Sequence, residues 1–264
     1  MGVRNYMEHL EIQMNTFWQK ILEIRAKKRN LENKIIYVRE NMFSYFFSFA
    51  KKIYIGCIFD KEGKKFPFSK TYHKIQGLQF KKMDLPNFAK LHGEELVFNI
   101  IQGLSKAQAI SKINEYRHQF KNQEVIDISF KRGISDYKKY VPDPIEKYLK
   151  YGLKFHKGMT ANAKAALVYN YIIRKENLLL TPITNASKLR LLYVNENNKY
   201  NVNTIAYVEN YPEEFKNMFT IDYDTLFEKS FLPVIEKMFD ILKWKSPKEK
   251  IPLRISKLGS LFKK

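Results

Sequence analysis

Apolar residues recur at helical spacing between Tyr6 and Ile24. Met7, Leu10, Met14, Phe17, Trp18 and Ile21 fall on one side with charged residues between them, which predicts an amphipathic helix. A basic stop, Arg25 to Asn30, ends it. The run Lys34 to Arg39 predicts a strand, and Phe43 to Phe49 packs five aromatics into seven positions, rings that need burial. Tyr54 to Phe59 is β-prone and ends at the turn Asp60-Lys61-Glu62-Gly63. A second extended stretch is expected through Phe66 to Phe80, giving a hairpin or two strands of a larger sheet.

At Asp84 the period changes. Asp84 can cap a helix, Pro86 suits a first turn, and Phe88, Leu91, Leu96, Ile100 and Leu104 mark an inward face. A second helix is expected from Lys106 to Phe120, with Ile110, Ile113, Tyr116 and Phe120 aligned. Val125 to Phe130 reads as a strand, and Pro142 and Pro144 break the chain. Thr160 opens an Ala-rich helix from Ala161 to Arg174. Leu189 to Val194 and Thr204 to Val208 alternate as a small hairpin. A last helix, capped by Asp222 or Asp224, buries Leu226, Phe227, Phe231, Val234, Ile235, Met238, Phe239 and Leu242. No internal repeat interrupts this order.

Composition adds charge to this picture. The 264 residues carry 47 Lys and Arg against 27 Asp and Glu, a net +20, with 45% apolar and 15% aromatic residues. Disorder, collagen-like and coiled-coil repeats are excluded by that apolar content. The one cysteine, Cys57, excludes an internal disulfide framework and a Cys-based zinc site, and implies a reducing compartment. The longest apolar run, Met42 to Ala50, is about half of what a membrane span needs, and no targeting signal is found. The five histidines, His9, His73, His92, His118 and His156, lack ligand spacing, and no Gly-rich phosphate loop is present. The cationic excess therefore points to a polyanion, foremost nucleic acid. A face that merely solubilises the chain is the alternative.

Lys51-Lys52-Ile53-Tyr54, then Asp60-Lys61-Glu62-Gly63, Lys74-Ile75-Gln76-Gly77-Leu78 and Asp84-Leu85-Pro86-Asn87-Phe88 occur in an order that resembles the end of the palm domain of family B DNA polymerases. Further on, Lys157-Gly158, Ala165-Ala166, Tyr169-Asn170, Tyr211-Pro212-Glu213-Glu214-Phe215 and Leu226-Phe227-Glu228-Lys229-Ser230-Phe231 resemble the thumb of the T-even-type phage branch. The likeness spans nearly the whole chain. Ile53 stands where the family commonly has Arg, and Leu85 where it has a hydroxyl residue. The family's metal-binding Asp-Thr-Asp motif is missing. Asp222-Tyr223-Asp224-Thr225 looks similar but lies directly before a helix, where carboxylates cap free N–H groups.

The resemblance implies an α+β fold. Residues 1–80 would form the C-terminal part of a palm, a helix plus antiparallel strands. Residues 81–242 would form a mainly helical thumb with a small β-hairpin, and 243–264 a basic tail. Between Lys51 and Lys90 there are ten lysines and three acids. Lys52 and Tyr54, read as sharing one face of a strand, would touch the primer end through minor-groove acceptors, which every base pair offers, with Lys51 and Lys74 nearby. Lys131, Lys157, Lys164 and Lys188 are the candidate phosphate contacts. The terminal Leu258-Gly259-Ser260-Leu261-Phe262 resembles a clamp-docking tail, with Leu258, Leu261 and Phe262 as anchors.

On this reading the chain is the C-terminal subunit of a split DNA-directed DNA polymerase with no catalytic or metal-binding residues of its own. Mg²⁺ would sit in a partner polypeptide that carries the rest of the palm, the fingers and the exonuclease. Primer-template DNA and a sliding clamp are the other expected partners. The expected location is the cytoplasm, of an infected bacterial host if the gene is a phage's, and a start at Met1 fits a separate reading frame. Two alternatives are a stand-alone, sequence-nonspecific DNA-binding accessory protein and a basic interaction protein.

Overall fold

The computed structural model describes residues 3–66, 73–135, 137–141 and 144–245. The fold is α+β, and the chain divides after Gln76 into two compact units. The first unit opens with helix α1 (Val3–Lys27), whose last-turn Arg25 and Lys27 complement the helix dipole. Strands β1 (Asn41–Ala50), β2 (Ile53–Lys61), β3 (Lys64–Lys65) and β4 (His73–Gln76) follow. All pairings are antiparallel, with β2 flanked by β1 on one side and by β3 and β4 on the other. The second extended stretch is therefore shorter than expected, and Gln79–Lys81 turns as a 3-10 helix.

The predicted strand Lys34 to Arg39 forms no ladder among the described residues. Leu31 to Glu40 is a strap tied to α1 by side chains instead. Gln19 Nε2 donates to Ile35 O at 2.8 Å, and the Arg39 N–H donates to Glu11 Oε1 at 2.9 Å. The Arg39 guanidinium reaches Glu11 at 3.2 Å and the fully buried Asp60 at 3.1 Å, and Asp60 also accepts from Gly63 N at 3.0 Å. One arginine thus links α1, the strap and the end of β2. The apolar stripe of α1 is covered only in part: Met7, Leu10 and Ile21 are half-buried, whereas Met14, Phe17 and Trp18 stand exposed, as do Tyr45 and Phe46 on β1.

The second unit holds α2 (Asn87–Ile101), α3 (Lys106–Phe120), α4 (Val125–Ile128), β5 (Phe130–Gly133), α5 (Tyr137–Tyr140), α6 (Ile145–Tyr151), α7 (Ala161–Lys175), β6 (Lys188–Tyr193), β7 (Thr204–Tyr207), α8 (Glu213–Met218), α9 (Tyr223–Ser230) and α10 (Leu232–Ile241). The helical pair appears where the periodicity puts it, and Ser105 opens α3 with a capping box to Gln108. Asp84 does not cap α2; it pairs with Arg132, and Pro86 takes the cap position. Leu91, read as inward, is exposed, while Phe88, Ala89, Leu96, Val97 and Ile100 are buried. Val125 to Phe130 is one turn of helix and the start of a strand, not a strand throughout.

Six rings close on themselves at the helical end of this unit. Phe88, Phe120, Phe227, Phe231, Tyr116 and His92 meet in that order, with centroids 5.2, 5.4, 4.8, 5.6, 4.6 and, back to Phe88, 4.3 Å apart. The circuit joins α2, α3, α9 and the Phe231 junction. The expected single last helix is interrupted there because Pro233 has no N–H to donate, so α10 starts anew. Its expected stripe is nevertheless buried from Leu226 to Phe239.

Beside the rings, β5, β6 and β7 form a sheet in that order, packed by α7. Thr160 caps α7, and the helix is buried almost all round from Ala165 to Ile173. Buried Asn170 clamps the following loop: its Oδ1 accepts from Ile183 N at 2.8 Å while its Nδ2 donates to Ile183 O at 2.7 Å.

Gly93 sets the approach of α2 to α10, for a Cβ there would stand 2.7 Å from Val234 Cγ1. Gly93→Ala should destabilise the protein by about 1–3 kcal/mol through overpacking, and Val234→Ala in the same chain should recover most of it. Chemical denaturation of the two single variants and the double variant measures this coupling.

Burial raises the pKa of Tyr116, Tyr137, Tyr169, Tyr200, Tyr207 and Tyr211 above the usual 10.0, helped at Tyr116 by Glu95 and at Tyr200 by Glu176. A raised folded-state pKa gives stability that is present below pH 10 and lost as pH rises through the folded value. Six of the 17 tyrosines should therefore stay silent in a tyrosinate absorbance titration until the second unit unfolds, and then ionise together with loss of circular dichroism.

Candidate nucleic-acid interface

Each unit carries its own set of candidate contacts. In the first, Lys51 and Lys52 form the exposed loop between paired Ala50 and Ile53. They do not share a strand face with Tyr54. A register shift between Ser48 and Ala50 turns the chain before β2 begins, and Lys52 adopts a left-handed φ of 64°, a conformation uncommon outside glycine.

Tyr54 and Lys74 are brought together. Tyr54 pairs with Gln76 and Gly56 with Lys74 across β2 and β4, so both side chains project from one face of neighbouring strands. The Lys74 ammonium donates to Glu40 and neighbours the Tyr54 hydroxyl. The bond to Glu40 raises the Lys74 pKa, and Lys74 in turn holds the Glu40 carboxyl below its ordinary range. The Tyr54 ring sits 5.3 Å from Phe46 and 6.4 Å from Phe43, whose own ring occupies the space over Gly56 that a Cβ would need. Aromatic packing thereby orients the hydroxyl, and Glu40 orients the ammonium.

In the second unit, β5 and β6 line a groove of about 660 Å³ with Lys131, Arg132, Lys188 and Arg190 facing Asp84 and Glu209. The cross-strand pairs Lys131 with Arg190 and Gly133 with Lys188 put three of these cations on one face. They are not equivalent. Arg132 pairs with Asp84 and lies over the Phe130 ring at 4.8 Å. Arg190 donates to Ile126 O at 2.7 Å and Ser129 Oγ at 3.2 Å, which ties the sheet to the end of α4. Among the described residues, the Lys131 ammonium donates only to the Asn87 amide oxygen, at 3.2 Å. Among the described residues neither Lys131 nor Lys188 has a carboxylate partner.

The groove crowds charge. Desolvation first and Lys131 second lower the pKa of Lys90, whose ammonium retreats to Met83 O at 3.2 Å. At the Gly133 end, Asn162 Nδ2 donates to Gly133 O at 3.5 Å, which sets the first turn of α7 against the groove. Lys164 stands on that turn, over the Phe155 ring at 5.7 Å, and Lys157 just precedes it. Of the four candidate phosphate contacts, Lys131 and Lys188 thus line the groove, whereas Lys157 and Lys164 lie before and within the first turn of α7. Sequence reading missed Arg132, Arg190 and Lys90. The doublet Lys131-Arg132 and the alternation Lys188-Leu189-Arg190 are the signals that could have found the first two.

Asp222 is a helix cap: it accepts from Thr225 N at 3.0 Å and from Thr225 Oγ1 at 2.6 Å. Asp224 pairs with Arg117 at 3.4 Å and Lys121 at 3.6 Å. Each carboxylate thus has a structural partner at the start of α9. Leu258, Leu261 and Phe262 lie outside the described residues. Among the described residues no helix is long and apolar enough to cross a membrane. No protein-family model matches the chain, and no curated protein matches it either.

Proposed function

We propose that the chain is the C-terminal subunit of a split family B DNA polymerase, completing the palm and supplying the thumb that grips primer-template duplex. The observation that carries the reading is the meeting of two motif halves: Tyr54 of Lys-Lys-x-Tyr and Lys74 of Lys-x-x-Gly converge on one sheet face. An oriented hydroxyl and an oriented ammonium are donors matched to minor-groove N3 and O2, so they sense pairing geometry without reading sequence. The partner polypeptide would hold two Mg²⁺ ions, which stabilise the attacking and leaving oxygens of phosphoryl transfer. This chain's part is positioning. Lys131 and Lys188, free of carboxylates, attract the duplex backbone, while Arg132 and Arg190 keep the groove in shape.

Replacing Lys131 and Lys188 together with alanine should weaken sequence-nonspecific duplex binding. It should also flatten the slope of log affinity against log salt by about 0.9 for each phosphate that is no longer neutralised. Arg190→Ala should instead lower thermal stability, since it releases Ile126 and Ser129. Anisotropy titrations over a salt series, with a melting curve for each variant, test both. A slope near zero for the unaltered chain would reduce the charge excess to solubilisation.

The purified single chain should not extend a primer with Mg²⁺ and nucleotides, and adding the partner polypeptide should restore synthesis. In the reconstituted enzyme, Tyr54→Phe and Lys74→Ala should each cost about 1–3 kcal/mol in primer extension with little change in overall duplex affinity. Extension by the lone chain, or unimpaired extension by both variants, would remove the polymerase assignment. Salt-sensitive binding without any restored synthesis would leave the accessory-protein alternative.

A further inference from the structure

Among the described residues the second unit exposes two aromatic rings, Tyr151 at 62% and Phe155 at 40%. Both lie where α6 gives way to the loop before α7. Gly152 ends α6 with a left-handed φ of 79°, and its N–H donates to Tyr148 O at 2.8 Å. Beside Tyr151 opens a cavity of about 150 Å³, lined by Lys147, Tyr148, Tyr151, Gly152, Lys154 and His156. One wall is fixed, because Tyr148 is buried and its hydroxyl meets His156 Nε2 at 3.3 Å. A space of about that size holds one six-membered ring.

Lysines stand around these rings in space as well as in sequence. Lys150 Nζ lies over the Tyr151 ring at 5.1 Å and Lys164 Nζ over the Phe155 ring at 5.7 Å, while Lys147 and Lys154 share the cavity with Tyr151. Among the described residues Lys150, Lys154, Lys157 and Lys164 have no carboxylate partner. Residues 144–157 hold one acid, Glu146, against four lysines. Exposed rings interleaved with such ammoniums suit a single strand, whose bases stack on aromatic faces while its phosphates follow the cations. A duplex keeps its bases inside and has none to offer the cavity. A second copy of this chain would set lysine against lysine, and a lone mononucleotide would leave most of these cations unused.

We infer that this corner of the second unit binds single-stranded nucleic acid. One pyrimidine base enters the cavity against Tyr151, Phe155 offers a face to another, and the phosphates between them lie on Lys147, Lys150 and Lys154. The site shares no lining residue with the groove of Lys131 and Lys188, and the inference stands whether or not the chain serves a polymerase.

The test titrates the full chain, by fluorescence anisotropy, with a labelled oligo(dT) of about 12 nucleotides, within the usual site sizes, and with an equally long strand that carries no bases. Oligo(dT) should bind at least about tenfold more tightly, as expected for a stacked base. Tyr151→Ala should remove most of that difference and leave the abasic strand unaffected, whereas Tyr151→Phe, which keeps the ring, should retain it. Melting curves of both variants should match the unaltered chain, since the side chain is exposed. Lys150→Ala/Lys154→Ala should weaken both strands and flatten the slope of log affinity against log salt by about 0.7 for each phosphate no longer neutralised. Lys131→Ala/Lys188→Ala, which tests the duplex groove, should leave the preference for oligo(dT) over the abasic strand intact. Equal affinity for the two strands, or a Tyr151→Phe as weak as Tyr151→Ala, would overturn the inference. So would displacement of the label by polyglutamate as effectively as by unlabelled oligo(dT), which would make the occupant an acidic polypeptide.

Discussion

The closed circuit of Phe88, Phe120, Phe227, Phe231, Tyr116 and His92 is the constraint on which the second unit depends. Each ring touches two others, so none can shift without opening a gap beside its neighbours, and a close-packed interior tolerates such gaps poorly. Arg117 lies over the Phe227 ring at 4.7 Å while pairing with Asp224, which fixes the outer rim of the circuit to α9. The start of α2 so fixed presents Asn87 to Lys131 of β5, and the turn before it presents Asp84 to Arg132. The basic groove is therefore a consequence of the aromatic packing beside it.

With 47 cationic side chains and 27 acidic ones, carboxylates are the scarce component, and many of them hold particular cations in place. Glu11 and Asp60 fix Arg39, Glu40 fixes Lys74, Asp84 fixes Arg132, and Asp224 fixes Arg117. Fixed cations shape the surface, and those left over give it its potential. Lys131 and Lys188 are of the second kind, which makes their neighbourhood attractive to an anion without any cost in breaking an existing ion pair.

Elements with a self-sufficient local pattern are legible in the sequence. The α3 helix announces itself through Ser105, Gln108 and the spacing of Ile113, Tyr116 and Phe120. The α7 helix does so through Thr160 and its alanines, and Asp222 reads correctly as a cap. Errors cluster where tertiary partners decide. Ile35 to Val38 has strand composition but no described partner strand, Val125 to Ile128 closes one helical turn before β5, and Leu91 lies on the wrong side of a helix whose inner face is set by the tight Gly93 contact. The same holds for the candidate site. Lys131 and Lys188 can be picked from charge, but their difference from Arg132 and Arg190 lies in Asp84, Ile126 and Ser129, which only the fold brings near.

The interrupted final helix has a consequence for the order in which the protein acquires its structure. Phe227 and Phe231 complete the aromatic circuit, yet they emerge from the ribosome long after Phe88 and Phe120. Until then α2 and α3 have each other but lack the far wall of their core, and contacts so distant in sequence form late because loop-closure entropy must be met first. The nascent second unit therefore waits as a partly formed helical hairpin with its apolar face open, a span of synthesis in which chaperone attention or premature termination has its greatest effect.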